Sequence, residues 1–467
     1  MSAPELTAAQ MDVFRDAGGD RHVTLLLGAG ASTSSGLPGW DELATRLLLK
    51  SGSVTDAEAA ALLVGRQDPL LVAEAARNAL GDRWDQQIRS ALYRGLSDLS
   101  PSALHLAAAG HALAGPASET TLITLNFDTL LEDAAKIDLD DAAVHSRIDG
   151  SRPDGVYVVH HLHGIASTSH SEGVVLTLSD FNELLGNQDS WQQQILRESA
   201  SQGAIVIAGT SYRDPDVRRW LHVALAEAPD ENAAVVLLAR QAFGVSRDQF
   251  SQLERALAEQ WSSAGLKPVI VEDFTDAAQI IRELRYVHAS NYRAPQERAD
   301  AMWKAHVAQF ADLQESYSDR LGLNASRLKD AFDVDHLNVT LWLADGNGSV
   351  ARYAAQDRIY KSAEDLRHVE SGHDSRWVAG RALGAEDIVF QDIEDGSTSR
   401  WGTVFAVPVR VVVPGHPEMA MAVISVGLPG SAATHFKSRA MWFDAALEIA
   451  NDWSETLLQV IPADFVA

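Results

Sequence analysis

The chain has 467 residues and a formal net charge of -26, with 46% hydrophobic and 22% charged residues. This length is roughly twice what one hydrophobic core supports, so we expect two or more domains of an ordinary folded protein. The negative charge argues against bulk nucleic-acid binding by electrostatics, and the absence of cysteine excludes disulfides, thiolate zinc sites and cysteine nucleophiles.

The first twenty residues are polar and acidic, where a secretory signal would have a positive start and an apolar stretch. Elsewhere, apolar runs are broken by Gly, Asp or Arg before they reach membrane-spanning length. We therefore expect a cytoplasmic protein that does not interact with membranes.

Short apolar runs ending in glycine or polar turn residues recur through the first half, and they read VTLLLGAGAS, TLITLNFD, YVVHHLHG, GAIVIAGTS and AAVVLLAR. Between them lie Ala/Leu-rich stretches of helical period, such as WDELATRLLLK and PSALHLAAAGHALAG. Buried strands that alternate with helices predict an α/β domain whose parallel sheet is covered on both faces.

The pattern changes near residue 275. Two segments of helical period, DAAQIIRELRYVHAS and AMWKAHVAQFADLQESYSDRLG, predict a connector. Alternation of period two in HLNVTLWLADGNGSVARYAA and WGTVFAVPVRVVVPGHPEMAMAVISVGLPG then predicts an antiparallel sheet, followed by a closing helix. We predict a first domain over 1–285, a helical connector over 286–325 and an α+β domain over 326–467.

The first motif that carries chemistry is LLLGAGASTSSGLPGW, a buried strand followed by Gly28 and Gly30 and then by small hydroxyl residues. Glycines let a backbone approach a pyrophosphate, and N–H groups at the start of a helix are donors for phosphate oxygens. A tight structural turn explains the two glycines equally well.

The second motif is TLNFDTLLEDA, which places Asn126 and Asp128 at the carboxyl end of a strand. Ligands bind at this end of the strands in open α/β sheets, where an asparagine can hold a water or a ribose hydroxyl without adding charge. The alternative is that both residues only cap the helix that begins near Thr129.

The third motif, YVVHHLHGIAS, ends a strand at His163 and Gly164. A histidine there can act as a general base near neutral pH. His161 and His163 lie on one face of the strand, but no nearby carboxylate completes a metal site, so we expect no metal. For His160 and His161 a structural role is favoured.

The fourth motif is IVIAGTSYRDPDVRRWL, in which Gly209, Thr210 and Ser211 follow a buried strand. Small hydroxyl residues at this position suit a contact with phosphate or ribose. Asp214 serves equally well as a ligand contact or as the N-cap of the next helix.

In this order, GAGAS with GLP, T-x-N-x-D, the His-Gly pair and G-T-S resemble the sirtuin superfamily over roughly residues 20 to 275. The resemblance implies a Rossmann-like fold that binds NAD across the strand ends. It implies that Asn126 and His163 are the catalytic pair. The residues that it places near NAD are Gly28, Ala29, Gly30, Ser32, Asp128, Gly209, Thr210 and Ser211, with Asp128 supporting the loop or orienting the asparagine.

This chain departs from the deacylase sirtuins, which carry a zinc module held by four cysteines and an Asp-Phe-Arg sequence after GLP. Here Gly39, Trp40 and Asp41 follow, and GLPGW resembles the sirtuin-like NAD hydrolases of bacterial antiphage defence. That resemblance implies cleavage of NAD to nicotinamide and ADP-ribose, causing NAD depletion and abortive infection. It does not decide between hydrolysis and cyclisation of the ADP-ribose part of NAD.

The second half resembles a GAF domain, a family that commonly binds small molecules and dimerises through flanking helices. The resemblance implies a sensor for a small-molecule or protein trigger and a homo-oligomer. The resemblance of the first half to sirtuin-like effectors also implies a partner protein from a neighbouring gene in some systems. Trp342, Trp377 and Trp401 either line a pocket or pack in the core, and packing is favoured.

Two other functions stay open at this point. One is a sensor that binds NAD or ADP-ribose without turnover, and the other is an NAD-dependent protein deacylase, which the absence of cysteine disfavours.

Overall fold

The computed structural model describes residues 3–15, 22–96, 99–186, 190–210, 215–227, 234–393, 400–436, 439–462 and 465. The chain forms two compact units. The first comprises Val13–Ile270, and the second comprises Met1–Asp12 together with Val271–Ala467. The domain limits expected from the sequence, 1–285 and 326–467, stay a prediction.

The first unit is built on a seven-stranded sheet and a small two-stranded one. The strands are β1 (His22–Leu27), β2 (Thr120–Thr124), β3 (Val144–Arg147), β4 (Tyr157–His161), β5 (Ile165–Ala166), β6 (Ser171–Glu172), β7 (Gly203–Ala208), β8 (Ala234–Ala239) and β9 (Lys267–Val271). The order in the large sheet is β3-β4-β2-β1-β7-β8-β9, with parallel pairing from β3 to β8. The central strands are buried along their whole length, which explains why they read as unbroken apolar runs.

Helix α1 (Ala8–Arg15) includes the limit between the two units after Asp12. The helices of the first unit that follow it are α2 (Ala29–Thr33), α3 (Trp40–Ser51), α4 (Ala57–Val64), α5 (Pro69–Leu80), α6 (Trp84–Leu92), α7 (Ala103–Leu113), α8 (Leu130–Ala135), α9 (Leu178–Gly186), α10 (Trp191–Gln202), α11 (Pro215–Glu227) and α12 (Arg247–Ser263). On one face of the sheet, Leu26 and Ile207 pack with Leu196 of α10 and Trp220 of α11. The predicted α/β architecture, a parallel sheet with helices on both faces, is confirmed.

The strand order reverses beside β1. The chain passes from β1 to β2, β3 and β4 on one side of the sheet, and only then to β7, β8 and β9 on the other. The connections that follow β1 and β7 therefore lead to opposite sides of the sheet. In open α/β sheets, ligands bind outside the carboxyl ends of the strands at such a reversal of strand order.

The second unit holds α13 (Phe274–Glu283), α14 (Pro295–Ala308), α15 (Phe310–Phe332), β10 (Asn338–Ala344), β11 (Ser349–Ala355), β12 (His368–Glu370), α16 (Val378–Ala385), β13 (Val389–Asp392), β14 (Thr403–Val411), β15 (Met419–Leu428), α17 (Ala432–Phe436) and α18 (Arg439–Leu458). Its strands form a six-stranded antiparallel sheet in the order β12-β11-β10-β15-β14-β13. The core joins this sheet to α15 and α18 through Tyr317, Trp442 and Trp453. The predicted α+β second half is confirmed.

The tryptophans of this unit differ in their surroundings. Trp342 is buried, and its Nε1 donates to Thr340 Oγ1 and Ser425 Oγ at 3.1 Å each. Trp377 is 44% exposed, with the Arg367 guanidinium 4.9 Å from its ring centroid. Packing therefore accounts for Trp342, and the tryptophans do not share one environment.

No helix in the described part of the chain is long and apolar enough to cross a membrane.

Candidate functional site

The loops after β1 and β7 cross at close range, and glycines make the crossing possible. Gly28 N donates to Ala208 O at 2.9 Å, and Gly30 N donates to Gly209 O at 2.7 Å. A Cβ on Gly28 would lie 2.7 Å from Gly209 O and 2.8 Å from Thr210 Cα. Gly209 itself has a φ of +71°, which favours glycine. The GAG and GTS motifs are therefore two halves of one structure.

We expect Gly28→Ala to lower the free energy of unfolding by about 1–3 kcal/mol, because backbone atoms cannot move aside as a flexible side chain can. Gly110→Ala is the matched control, since Gly110 is exposed within α7 and nothing lies within 4 Å of its added Cβ. That control should be neutral or stabilising by about 0.5–1 kcal/mol. Urea unfolding of both variants measures the difference, and equal midpoints would contradict the tight crossing.

Asn126 is held against this loop crossing from the end of β2. Its Nδ2 donates to Gly28 O at 3.1 Å and to Ser32 Oγ at 2.7 Å. Because a carbonyl oxygen can only accept, these bonds fix which side-chain atom is nitrogen. The remaining side-chain oxygen accepts no hydrogen bond from the described residues, and Asn126 lines the pocket. This oxygen can therefore orient a water or a hydroxyl of a ligand.

A buried histidine supports the same arrangement from α7. Ser102 N donates to His105 Nδ1 at 3.1 Å, so in the neutral ring the proton is on Nε2, which lies 3.5 Å from Ser32 Oγ. Burial lowers the pKa of His105 and favours this neutral form. His105 was not singled out in the sequence analysis, and its only signal there was the capping sequence Ser-x-x-His.

A second buried histidine, His161 at the end of β4, holds the backbone of Asn126 in place. His161 Nδ1 donates to Asn126 O at 3.0 Å, and its Nε2 lies 2.7 Å from Glu132 Oε1. Burial favours neutral partners, but the mutual attraction outweighs it, so the pKa of His161 is raised and that of Glu132 is lowered. His161 is thus an imidazolium with a structural role, as the sequence predicted. Both of its ring nitrogens are bonded, so neither is free to bind a metal.

His163 lines the pocket two residues further along, with Phe181 and Trp220 packed on its ring at centroid distances of 5.4 and 6.4 Å. It is 3% exposed. The next residue, Gly164, has a φ of +82°, and a Cβ there would lie 2.1 Å from Gly173 O. The His-Gly pair therefore exists because the chain turns sharply against a neighbouring segment just after the histidine.

The pocket between these groups opens at the carboxyl ends of β1, β2, β4 and β7. It encloses about 80 Å³ within an open space of about 730 Å³. Its walls are Ala29, Ser32, Leu37, Pro38, Trp40, Leu43, Leu92, Leu125, Asn126, Phe127, Asp128, His163, Val175, Phe181 and Thr210. Trp40 of the GLPGW sequence is thus a wall residue, a role that its sequence pattern did not predict. The enclosed volume is far below the roughly 300–1,000 Å³ of typical small-molecule sites.

Most of the predicted site residues meet in this pocket. Asp128 lines it and also accepts from Leu130 N at 3.1 Å, so it combines the lining and capping roles. Gly28, Gly30 and Gly209 form the loop crossing and do not line the pocket. Ser211 and Asp214 lie outside the described residues.

A group of side chains with the composition of a metal site lies in the second unit. Glu272, His373 and Asp374 each offer a ligand atom, and within the described part of the chain these atoms lie within 4.8 Å of one another. Asp273 accepts from His373 N at 3.1 Å. Glu272 is distant in sequence from His373 and Asp374, so no local motif predicts this group, and the absence of a metal stays a prediction.

Comparisons with known proteins find one protein family and solved structures to which this chain is similar. The model of the SIR2-like domain family matches residues 120–268, which is less than half of the chain. A solved structure described as the structural basis for the mechanism and regulation of Sir2 enzymes has 12% identity and a TM-score of 0.32, covering 60% of this chain and 96% of its own. A Sir2 homolog in complex with NAD has 14% identity and a TM-score of 0.29, covering 59% and 93%.

Another solved structure to which this chain is similar is described as a GAF sensor protein from Burkholderia vietnamiensis. It has 16% identity and a TM-score of 0.21, and the match covers 34% of this chain and 91% of that one. No curated protein matches the chain. The first unit is therefore similar to the SIR2-like domain family over residues 120–268.

Proposed function

We propose that the chain is a regulated NAD hydrolase that cleaves the nicotinamide–ribose bond to release nicotinamide and ADP-ribose. The observation that carries the proposal is the placement of Asn126. Its amide nitrogen is bonded to Gly28 O and Ser32 Oγ, and its oxygen remains available in a pocket that it shares with His163. The pocket lies at the reversal of strand order beside β1, where NAD binds in folds of this architecture.

The side chains that line this pocket can orient the reactants and accept the proton that the cleavage of NAD by water releases. When the bond to nicotinamide breaks, its electron pair leaves with the ring nitrogen and positive charge develops on the ribose. Asn126 Oδ1 orients the water or the ribose, and His163 takes the proton as the water oxygen bonds to the anomeric carbon. Asp128, held by Leu130 N, supports the loop beside Asn126. The apolar walls, including Trp40 and Phe181, exclude other water.

The small enclosed volume of about 80 Å³ supports regulation, because a dinucleotide needs the pocket to open. An unregulated enzyme of this kind would also deplete its own cell of NAD. We propose that the GAF-like second unit senses a small-molecule or protein trigger, with a change of homo-oligomeric state or a partner protein releasing the activity in antiphage defence.

We expect the purified full-length chain to release nicotinamide slowly when unliganded and dilute, with a rate per chain that rises as it assembles. Nicotinamide release measured over a range of protein concentrations tests this. Full activity at every concentration would overturn the regulation. Bound but uncleaved NAD under every assembly condition would instead favour the sensor function. Product analysis in the same assay separates ADP-ribose from a cyclised product.

A further inference from the structure

A second cavity, named here the amino-end cavity, lies in the first unit and extends from the amino ends of β1 and β2 to His160 of β4. It encloses about 490 Å³ within an open space of about 1,060 Å³. Its walls include His22 of β1, Thr120 and Thr121 of β2, and Val158 and His160 of β4. The enclosed volume lies within the roughly 300–1,000 Å³ of small-molecule sites, whereas the carboxyl-end pocket encloses only about 80 Å³.

The two cavities are separate binding volumes. β1 runs from His22 at the amino-end cavity toward Gly28 at the loop crossing, and β2 runs from Thr120 toward Asn126. Along these two strands, six residues at about 3.3 Å each place the ends about 20 Å apart. At the end of β4 the separation is shorter, since His160 precedes His163 of the carboxyl-end pocket by three residues, but the two cavities share no wall residue. A ligand in the amino-end cavity therefore does not occupy the site proposed for NAD.

Two polar atoms on the walls of this cavity have no hydrogen-bond partner among the described residues. They are His160 Nδ1 and Thr120 Oγ1, and both side chains are buried, at 1% and 8% exposure. An unsatisfied buried polar atom costs about 1–3 kcal/mol. Folded proteins rarely keep such atoms except where a ligand or an ordered water completes them.

His22, in contrast, is saturated and forms a fixed part of the wall. Its Nδ1 donates to Ser118 O at 2.9 Å, and its Nε2 accepts from the Thr121 hydroxyl at 2.7 Å. Burial lowers the pKa of His22 and holds the ring neutral. His160 Nδ1 is therefore the buried group left for a ligand on this wall, because the strand register turns the Thr120 side chain toward the opposite face of the sheet from His160.

Arg152 supplies the charge at this cavity. Its side chain is exposed on the wall and forms no ion pair within the described part of the chain. Burial, and then the charge of Arg152, lower the pKa of His160 to about 3, so the ring is neutral near pH 7 and can donate or accept. Asp154, an acidic residue on the same wall, is also exposed and therefore strongly solvated.

We propose that the amino-end cavity binds the phosphate group of a small organic molecule, with Arg152 as counter-ion and His160 as hydrogen-bond partner. A guanidinium matches phosphate oxygens with two parallel hydrogen bonds, and an imidazole adds a further donor. The apolar wall formed by Val156 and Val158 suits the organic part of such a ligand. No carboxylate on the wall is buried where it would repel the anion.

Calorimetric titration of the full-length chain tests the site with two probes, inorganic phosphate and adenosine monophosphate. Binding of both probes means that the phosphate group suffices, and binding of the nucleotide alone means that the organic part is also needed. Either result supports the site provided that Arg152→Ala weakens the binding. Absence of binding by both probes overturns it.

Arg152→Ala should weaken binding about 10- to 100-fold, since it removes a charged hydrogen-bond partner. The matched control Arg255→Ala removes an arginine whose side chain is 90% exposed on α12, far from the wall residues in sequence, and should leave affinity unchanged. Equal affinity of the parent and Arg152→Ala overturns the assignment.

Discussion

Replacing Asn126 or His163 by alanine should lower the rate of nicotinamide release by about 10²- to 10⁴-fold, the range in which a positioned general base or orienting group contributes to catalysis. Both side chains line the same pocket, and both are almost fully buried there. The effect should appear in kcat, because these groups act on the reacting atoms and contribute little to the binding of the distant adenosine half.

The matched controls are Asn182→Ala on the exposed surface of α9 and His145→Ala on the edge strand β3, where the ring nitrogen lies 3.1 Å from Ala142 O. Both should retain the parent rate. Folding is checked by urea unfolding of each variant, since Asn126→Ala also removes the bonds to Gly28 O and Ser32 Oγ. Folded Asn126 and His163 variants with the parent rate would require these catalytic roles to be withdrawn.

Glu132→Gln should lower the free energy of unfolding by about 3–5 kcal/mol, the usual effect of removing one partner of a buried ion pair. The side chains of Glu132 and His161 are 2% and 0% exposed, and His161 also donates to the backbone carbonyl of Asn126. The double variant with His161→Gln should lose less than the sum of the single losses, because the two residues interact directly. Glu259→Gln, in the exposed pair with Arg255, should cost less than about 1 kcal/mol.

The pH dependence of this pair has a definite sign. The pKa of Glu132 is lowered from 4.5, so its contribution is present above that value and is lost as the pH falls through the folded pKa. The pKa of His161 is raised from 6.5, so its contribution is complete below that value and is lost as the pH rises through the folded pKa. Stability differences between parent and Glu132→Gln should therefore be largest between these two values. A difference that does not change with pH would contradict the ion pair.

Much of the architecture could be predicted from periodicity. β1, β2, β4, β7 and β8 were expected because strands covered on both faces must be apolar throughout. β3 and β12 were missed, since their short sequences VHSR and HVE carry polar residues at the sheet edges. The helical connector was predicted as a run of helical period, and in the structure α14 and α15 meet at Gln309, with a φ of -107°.

The amino-acid sequence by itself determined the fold class and the motifs that meet in the carboxyl-end pocket. Strand ends of a parallel sheet lie at one edge, so residues such as Asn126 and His163 come together once the strands are recognised. Only the tertiary structure decided the roles of His105, His161 and Trp40, and the existence of the amino-end cavity. Those features depend on which atoms of distant segments come within hydrogen-bond distance, and local periodicity carries no information about such contacts.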